Sequence, residues 1–309
     1  MALGITMIYS VTKVANFASG ELMVIGSYIT IFVVAILKLP VASAFVCSFA
    51  FTALFAWFLS KVLYAPLIRR RTSTFMLFVA TIATSMLIKN AIYLVIVRPG
   101  TFWLVNASPG VSSVVIFRFG DIVITDLFVE VLLVAAALVF FLQLFLKRTS
   151  LGKAMRATRD NPDLAWVTGV NVERVQNFAW AMAGGLSGLA GCFWAIYQAA
   201  SPEIGWTTLW RAFAASVIGG LNSFSGTIVG GYIVGFSENF VTSGLYVTLG
   251  VPPAMKPVVT FGIMALAMLF LPTGLGEISW RHLGHVLLSK LQVLRKHVKS
   301  KAGLLRKWT

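Results

Sequence analysis

The sequence predicts an all-α polytopic membrane protein of about eight transmembrane helices, some discontinuous or interrupted by glycine. Three observations predict it. Of 309 residues, 58% belong to the apolar set and only 11% are charged, where a soluble domain has about 25% charged residues. The mean hydropathy is +0.88, and the apolar residues gather in runs near the roughly 20 that a helix needs to cross a bilayer. So little charge cannot solvate so much oil, which excludes a soluble enzyme. The net charge of +15 points to cationic parts gathered on one side of a membrane.

Taken in order, the apolar runs are Ala2–Phe17, Leu22–Leu37, Val41–Tyr64, Phe75–Val97, Leu127–Leu146, Val175–Tyr197, Trp210–Tyr246 and Pro253–Leu271. The first lacks a basic region before it and a small-residue cleavage pattern after it, so it is not read as a secretory signal. Trp210–Tyr246 is too long for one span. With Gly219, Gly220, Gly226, Gly230, Gly231 and Gly235 inside it, it reads as a half-helix, a glycine turn and a full helix. The loop Arg98–Ile124 alternates from Val114 to Val123, the period of a small hairpin.

Cations set the orientation. Lys61 and Arg69–Arg71, six cations of the Lys147–Arg174 loop, and eight of the tail after Leu271 make 18 of the 25 basic residues. An alternating count places all of them on one face, the cytoplasmic one by the positive-inside rule. Lys38, Arg98, Arg118 and Arg211 are left for the opposite loops. Residues 1–276 thus read as a transmembrane domain with a cytoplasmic loop at 147–174. Residues 277–309 read as a basic amphipathic helix on the anionic inner leaflet. Nothing else in the chain supports nucleic-acid binding.

No group of His, Cys, Asp and Glu has metal-ligand spacing, and there is no GxxxxGK[ST] phosphate loop. Whatever powers the chain therefore comes from outside it. The Lys147–Val175 segment is organised like short helices. Leu151, Ala154, Met155 and Thr158 recur at helical spacing. Asn161 is placed to cap a second helix, with Pro162 at its first position, Asp163 in its first turn and Gly169 at its left-handed end. Such a helix is a peg about 10 Å long carrying Leu164, Trp166 and Val167. It either lies on the bilayer or is covered by a partner.

Asp163–Gly169, DLAWVTG, resembles the EAAxxxG signature of permease subunits of ATP-binding cassette (ABC) importers, with Asp163 for Glu and Leu164 for the first Ala. Gly4–Tyr28, GITMIYSVTKVANFASGELMVIGSY, resembles the GLTLIYGVxRVINFAHGxxMMLGAY block of the LivH/LivM branched-chain amino acid permeases, in its LivH-type form, with Ser19 where His is usual. Leu151–Val170, Ala212–Gly235 (AFAASVIGGLNSFSGTIVGGYIVG) and Leu271–Gly276 (LPTGLG) are similar to further blocks of that family, in the same order. The family pattern has more apolar residues before the position of Met1, and a shorter basic tail.

The resemblance implies a non-enzymatic importer subunit in the cytoplasmic membrane, translocating branched-chain or related neutral amino acids. It implies two cytoplasmic ATPases as partners, a second permease (LivM-like or a second copy), and an extracytoplasmic binding protein. ATP would be on the ATPases and no cofactor in this chain. Lys153, Arg156, Arg159, Asp163, Leu164, Ala165, Trp166 and Gly169 would engage the ATPase. A zwitterion needs polar groups at bilayer depth, and backbone at helix breaks supplies them where it lines a cavity. Two breaks are candidates for the path or its gate: Asn16, Phe17, Ser19, Gly20 and Glu21, and Gly219, Gly220, Asn222 and Ser223. Lys89-Asn90, Glu130 and Glu238-Asn239 lie inside runs, where a charge costs roughly 2.5–3.5 kcal/mol unless it faces protein or water. Lys89 and Glu238 are one conceivable pair. The alternatives are a related ABC permease for urea or short amides, a self-sufficient secondary transporter or channel, and a membrane scaffold.

Overall fold

The computed structural model describes residues 1–70, 72–98, 100–111, 115–119, 122–250, 252, 255–270 and 274–276; the tail at 277–309 lies outside the described residues. Helices α1 (Ala2–Thr12), α2 (Ser19–Ile31), α3 (Val41–Leu59), α4 (Ala65–Arg69) and α5 (Thr74–Ile96) form the first half. The π-helical turns Phe32–Ile36 and Ser60–Tyr64 extend α2 and join α3 to α4. A small hairpin follows, β1 (Val115–Phe119) and β2 (Ile122–Thr125), antiparallel with Arg118 opposite Val123. The second half is α6 (Asp126–Arg148), α7 (Ser150–Asp160), α8 (Pro162–Val167), α9 (Val172–Tyr197), α10 (Ile204–Gly219), α11 (Phe224–Leu249) and α12 (Lys256–Phe270).

Among the described residues, five segments are long and apolar enough to cross a membrane: Ser19–Ile36, Val41–Arg69, Thr74–Ile96, Asp126–Arg148 and Val172–Tyr197. Helices α1 and α12 are shorter apolar pieces. The first run does not reach Phe17 as one helix: it stops at Thr12, because Lys13 turns left-handed (φ 57°) and donates its N–H to the Tyr9 carbonyl. The Gly-interrupted run does split into two helices, with residues 220–223 between them.

Helix α9 is the centre of the packing, buried over 72% of its apolar stretch against 11% for α6. Glycine makes this possible. A β-carbon on Gly188 would overlap Thr52 of α3, and one on Gly191 would overlap the Met23 carbonyl of α2. Small residues at this spacing allow helix backbones to approach closely. The Gly184, Gly188 and Gly191 stripe is therefore spent on internal packing. Gly226 and Gly230 press against Gly219 and Ala215 in the same way, whereas Gly231 and Gly235 face open space. Tyr64 and Trp180, both buried, stack with ring centroids 4.1 Å apart and lock the α3–α4 junction onto α9.

Candidate functional site: two breaks and an exposed peg

The first break is enclosed. Asn16 has no exposed surface. Its amide donates to Ser19 Oγ at 2.9 Å and its carbonyl oxygen accepts the Ala18 N–H at 3.0 Å. The side chain thus replaces the helix bonds the backbone forgoes there. Thr81 of α5 accepts the Phe17 N–H at 3.4 Å and donates to the Ala15 carbonyl at 3.2 Å. Glu21, only 1% exposed, accepts from Ser85 at 3.3 Å through Oε1. Its Oε2 has no hydrogen-bond partner among the described residues. A β-carbon on Gly20 would stand 2.8 Å from the Gly205 carbonyl oxygen, so α2 and α10 meet nearly backbone to backbone. The Phe17 ring packs between Phe78, Trp210 and Phe213, at centroid distances of 5.2, 5.6 and 5.1 Å. Asn16, Phe17, Ser19, Gly20 and Glu21 thus form one polar kink under an aromatic cluster, at the junction of α2, α5 and α10.

The second break is tied to the loop. Gly220 takes φ 94° after α10, a region open to glycine at little cost. Ser223 caps α11 by accepting the Gly226 N–H at 3.2 Å. Leu275 and Gly276 donate their N–H groups to the Ile218 and Gly219 carbonyls, both at 2.9 Å. Asn222 then gathers two cations. Lys13 Nζ donates to its side-chain oxygen at 3.0 Å, and Arg159 of α7 donates to its backbone carbonyl at 3.2 Å. Gly219, Gly220, Asn222 and Ser223 therefore sit beside the Lys147–Arg174 loop, and Lys13, just ahead of the first break, ties the two breaks together.

The loop folds as its caps dictate. Asn161 Oδ1 accepts the Leu164 N–H at 3.0 Å, and Gly169 closes the peg at φ 88°. Ala165 is buried at 3% exposure, while Leu164, Trp166 and Val167 are 61%, 72% and 74% exposed. Asp163 lies in the first turn of α8. Lys153 is exposed on α7, and Arg156 donates to the Leu146 carbonyl at the end of α6. Arg69 forks onto Glu173, with contacts of 2.6, 2.8 and 3.1 Å, holding the ends of α4 and α9 on one face.

Sequence reasoning missed the ion pairs. Lys89 pairs with Glu203 at 2.8 Å, not with Glu238. Tyr93 also donates to Glu203 at 2.6 Å, and these two hydrogen bonds hold the Glu203 carboxyl below the usual range. Glu238 lies 3.0 Å from Arg211 and accepts from Thr260 at 3.2 Å. Arg211 is thus inside α10 rather than in an outer loop. Its place in the run from Trp206 to Ile218 is the signal that could have found it. No group of three His, Cys, Asp or Glu is arranged for a metal ion among the described residues.

Long apolar helices, glycine-closed crossings, polar breaks between helices and an exposed apolar peg together define a polytopic membrane protein. The family description "branched-chain amino acid transport system / permease component" matches residues 1–268, and the chain belongs to that family. It is 33% identical over 300 residues to the probable branched-chain amino acid transport permease LivH of Methanocaldococcus jannaschii, covering 93% of this chain and 90% of that protein. It is 29% identical to the high-affinity permease BraD of Pseudomonas aeruginosa, over 89% of this chain and 90% of BraD. It is 27% identical to LivH of Escherichia coli K12, over 89% of each. No solved structure matches it. The chain is therefore an integral membrane transport component, in a family of permeases rather than enzymes.

Proposed function

We propose that the chain is one of two paired permease subunits of an ABC importer for branched-chain or related neutral amino acids, driven by separate cytoplasmic ATPases and fed by an extracytoplasmic binding protein. One observation carries this reading. The α8 peg exposes Leu164, Trp166 and Val167 while its parent loop is bonded through Arg159 to the α10–α11 break. Exposed apolar side chains on a rigid peg need a partner, and the ATPase supplies it. Movement of the peg passes along α7 through Arg159 to Asn222, and from there to the joint between α10 and α11. The closed first break is the polar element that the zwitterion meets within the bilayer. There Asn16, Ser19 and Glu21 offer groups of both hydrogen-bonding senses in place of water. Glu21, one of whose oxygens has no partner among the described residues, is suited to the ammonium.

The test uses the complex with its ATPases and binding protein in proteoliposomes. Ala165→Arg forces a charge into the buried side of the peg. Gly169→Pro is incompatible with φ 88°, because proline fixes φ near −65°. Both should abolish substrate-stimulated ATP turnover and uptake while membrane insertion persists. Normal coupling in both would remove the peg from the mechanism. Uptake against a gradient by the permease alone, without nucleotide, would replace this reading with a self-sufficient transporter.

A further inference from the structure

Between the cytoplasmic ends of α1, α6 and α7 and the start of α11 lies a cavity of about 650 Å³. Four cations line it, Lys13, Lys147, Arg156 and Arg159, and among the described residues Asp160 is the one carboxylate in its wall. Asp160 is engaged by Arg159 at 3.0 Å. Phe224 and Ser225, at the N-terminus of α11, add a wall where helix N–H groups favour negative charge. So much positive charge around one hollow favours an anion, and the hollow has room for one larger than chloride.

The position of the cavity says where that anion comes from. Its floor is Gln143 and Leu146, the last turns of α6. That helix is buried over only 11% of its apolar stretch, so its outer surface is open to acyl chains. On the other side of α6 an apolar groove, lined by Phe141, Leu142, Met182 and Leu186, ends at Arg148. The end of α6 thus sets Lys147 toward the cavity and Arg148 toward the groove, at the depth where an apolar span meets headgroups. The exposed peg residues Leu164, Trp166 and Val167 are not part of the cavity wall.

We propose that this cavity binds the phosphate of an anionic phospholipid from the cytoplasmic leaflet. The bound headgroup neutralises Lys147 and Arg156 and braces α6 against α7, the helix that carries Arg159 to Asn222. The site rests on the cytoplasmic placement of these basic ends, but not on which solute is carried.

The experiment is native mass spectrometry of the delipidated full chain, titrated with phosphatidylglycerol or with phosphatidylcholine of the same acyl chains. Phosphatidylglycerol should be retained about tenfold better. Lys147→Glu, at an exposed position in the last turn of α6, should reduce that preference by about five- to tenfold. Lys61→Gln, a cytoplasmic cation outside the cavity, should leave it unchanged. Equal retention of both lipids would overturn the site. So would an unaltered preference in Lys147→Glu, which would place the lipid elsewhere, as on the basic tail. Displacement of phosphatidylglycerol by millimolar inorganic phosphate would overturn the lipid assignment in favour of a soluble anion. A failure of transport with lipid binding intact would count against the importer reading and leave this site standing.

Discussion

The two breaks carry nearly the same signal, small and amide residues between apolar runs, yet they end in opposite environments. At Asn16–Glu21 every polar group turns inward. Asn16 satisfies its own kink, Thr81 bridges it to α5, and the Phe17 cluster covers it. At Gly219–Ser223 the polar groups turn toward the loop, where Lys13 and Arg159 converge on Asn222 and residues 274–276 bond alongside. The first break is enclosed and satisfied from within, the second is tied to the loop; under the proposed function these would be a polar element of the pathway and a joint that receives force. A glycine- and asparagine-rich interruption marks where a helix can bend. What the bend is used for depends on the helices that reach it.

The sharpest way to break this comparison is Gly226→Val. Its side chain would collide with the Gly219 carbonyl and Gly276, and such overpacking costs about 3 kcal/mol. A lowered thermal midpoint in detergent and loss of folded protein are expected. Gly231→Val, where a β-carbon meets only open space, should shift the midpoint by less than about 0.5 kcal/mol equivalent. Next comes Arg159→Gln, which cuts the joint from α7. ATP turnover should persist while uptake per ATP falls about tenfold, one bond to a charged group being worth about 1.5–3 kcal/mol; unchanged stoichiometry would cut the joint out of the coupling path. Asn16→Ala should cost about 1–2 kcal/mol by orphaning the Ala18 N–H and Ser19 hydroxyl, and lower uptake with peg–ATPase binding intact. Asn161→Ala removes a helix cap worth about 1 kcal/mol and should weaken ATPase association modestly in a pull-down with purified subunits. Smallest is Arg69→Gln. The Arg69–Glu173 pair is largely exposed, at 70% and 40% of its side-chain surfaces, and exposed pairs contribute little, so no measurable midpoint change is expected.

Much of the peg was legible in advance. Asn161, Pro162 and Gly169 act within a few residues of one another, and capping is local chemistry. The division of Trp210–Tyr246 was legible for the same reason, since its glycines interrupt one stretch of chain. The end of the first helix was not: Lys13 turns left-handed where its neighbours are apolar, and its side chain finds Asn222, 209 positions away. Lys89 was assigned no certain partner because Glu203 reaches it from 114 positions away. Arg211 reads as a loop cation only because it lies at the edge of the Trp210–Tyr246 run, whereas the helix that holds it begins at Ile204.

Hydropathy, cationic asymmetry, caps and glycine spacing are written along the chain, since bilayer thickness and backbone geometry act on consecutive residues. From them came the membrane-spanning helical class, the peg and the position of both breaks. Which glycines close onto neighbours, which charges meet, and which break lies beside the loop arose only when α9 drew α2 and α3 onto itself and α10 folded back on α11. Packing selects partners by distance in space, and no local pattern records that distance.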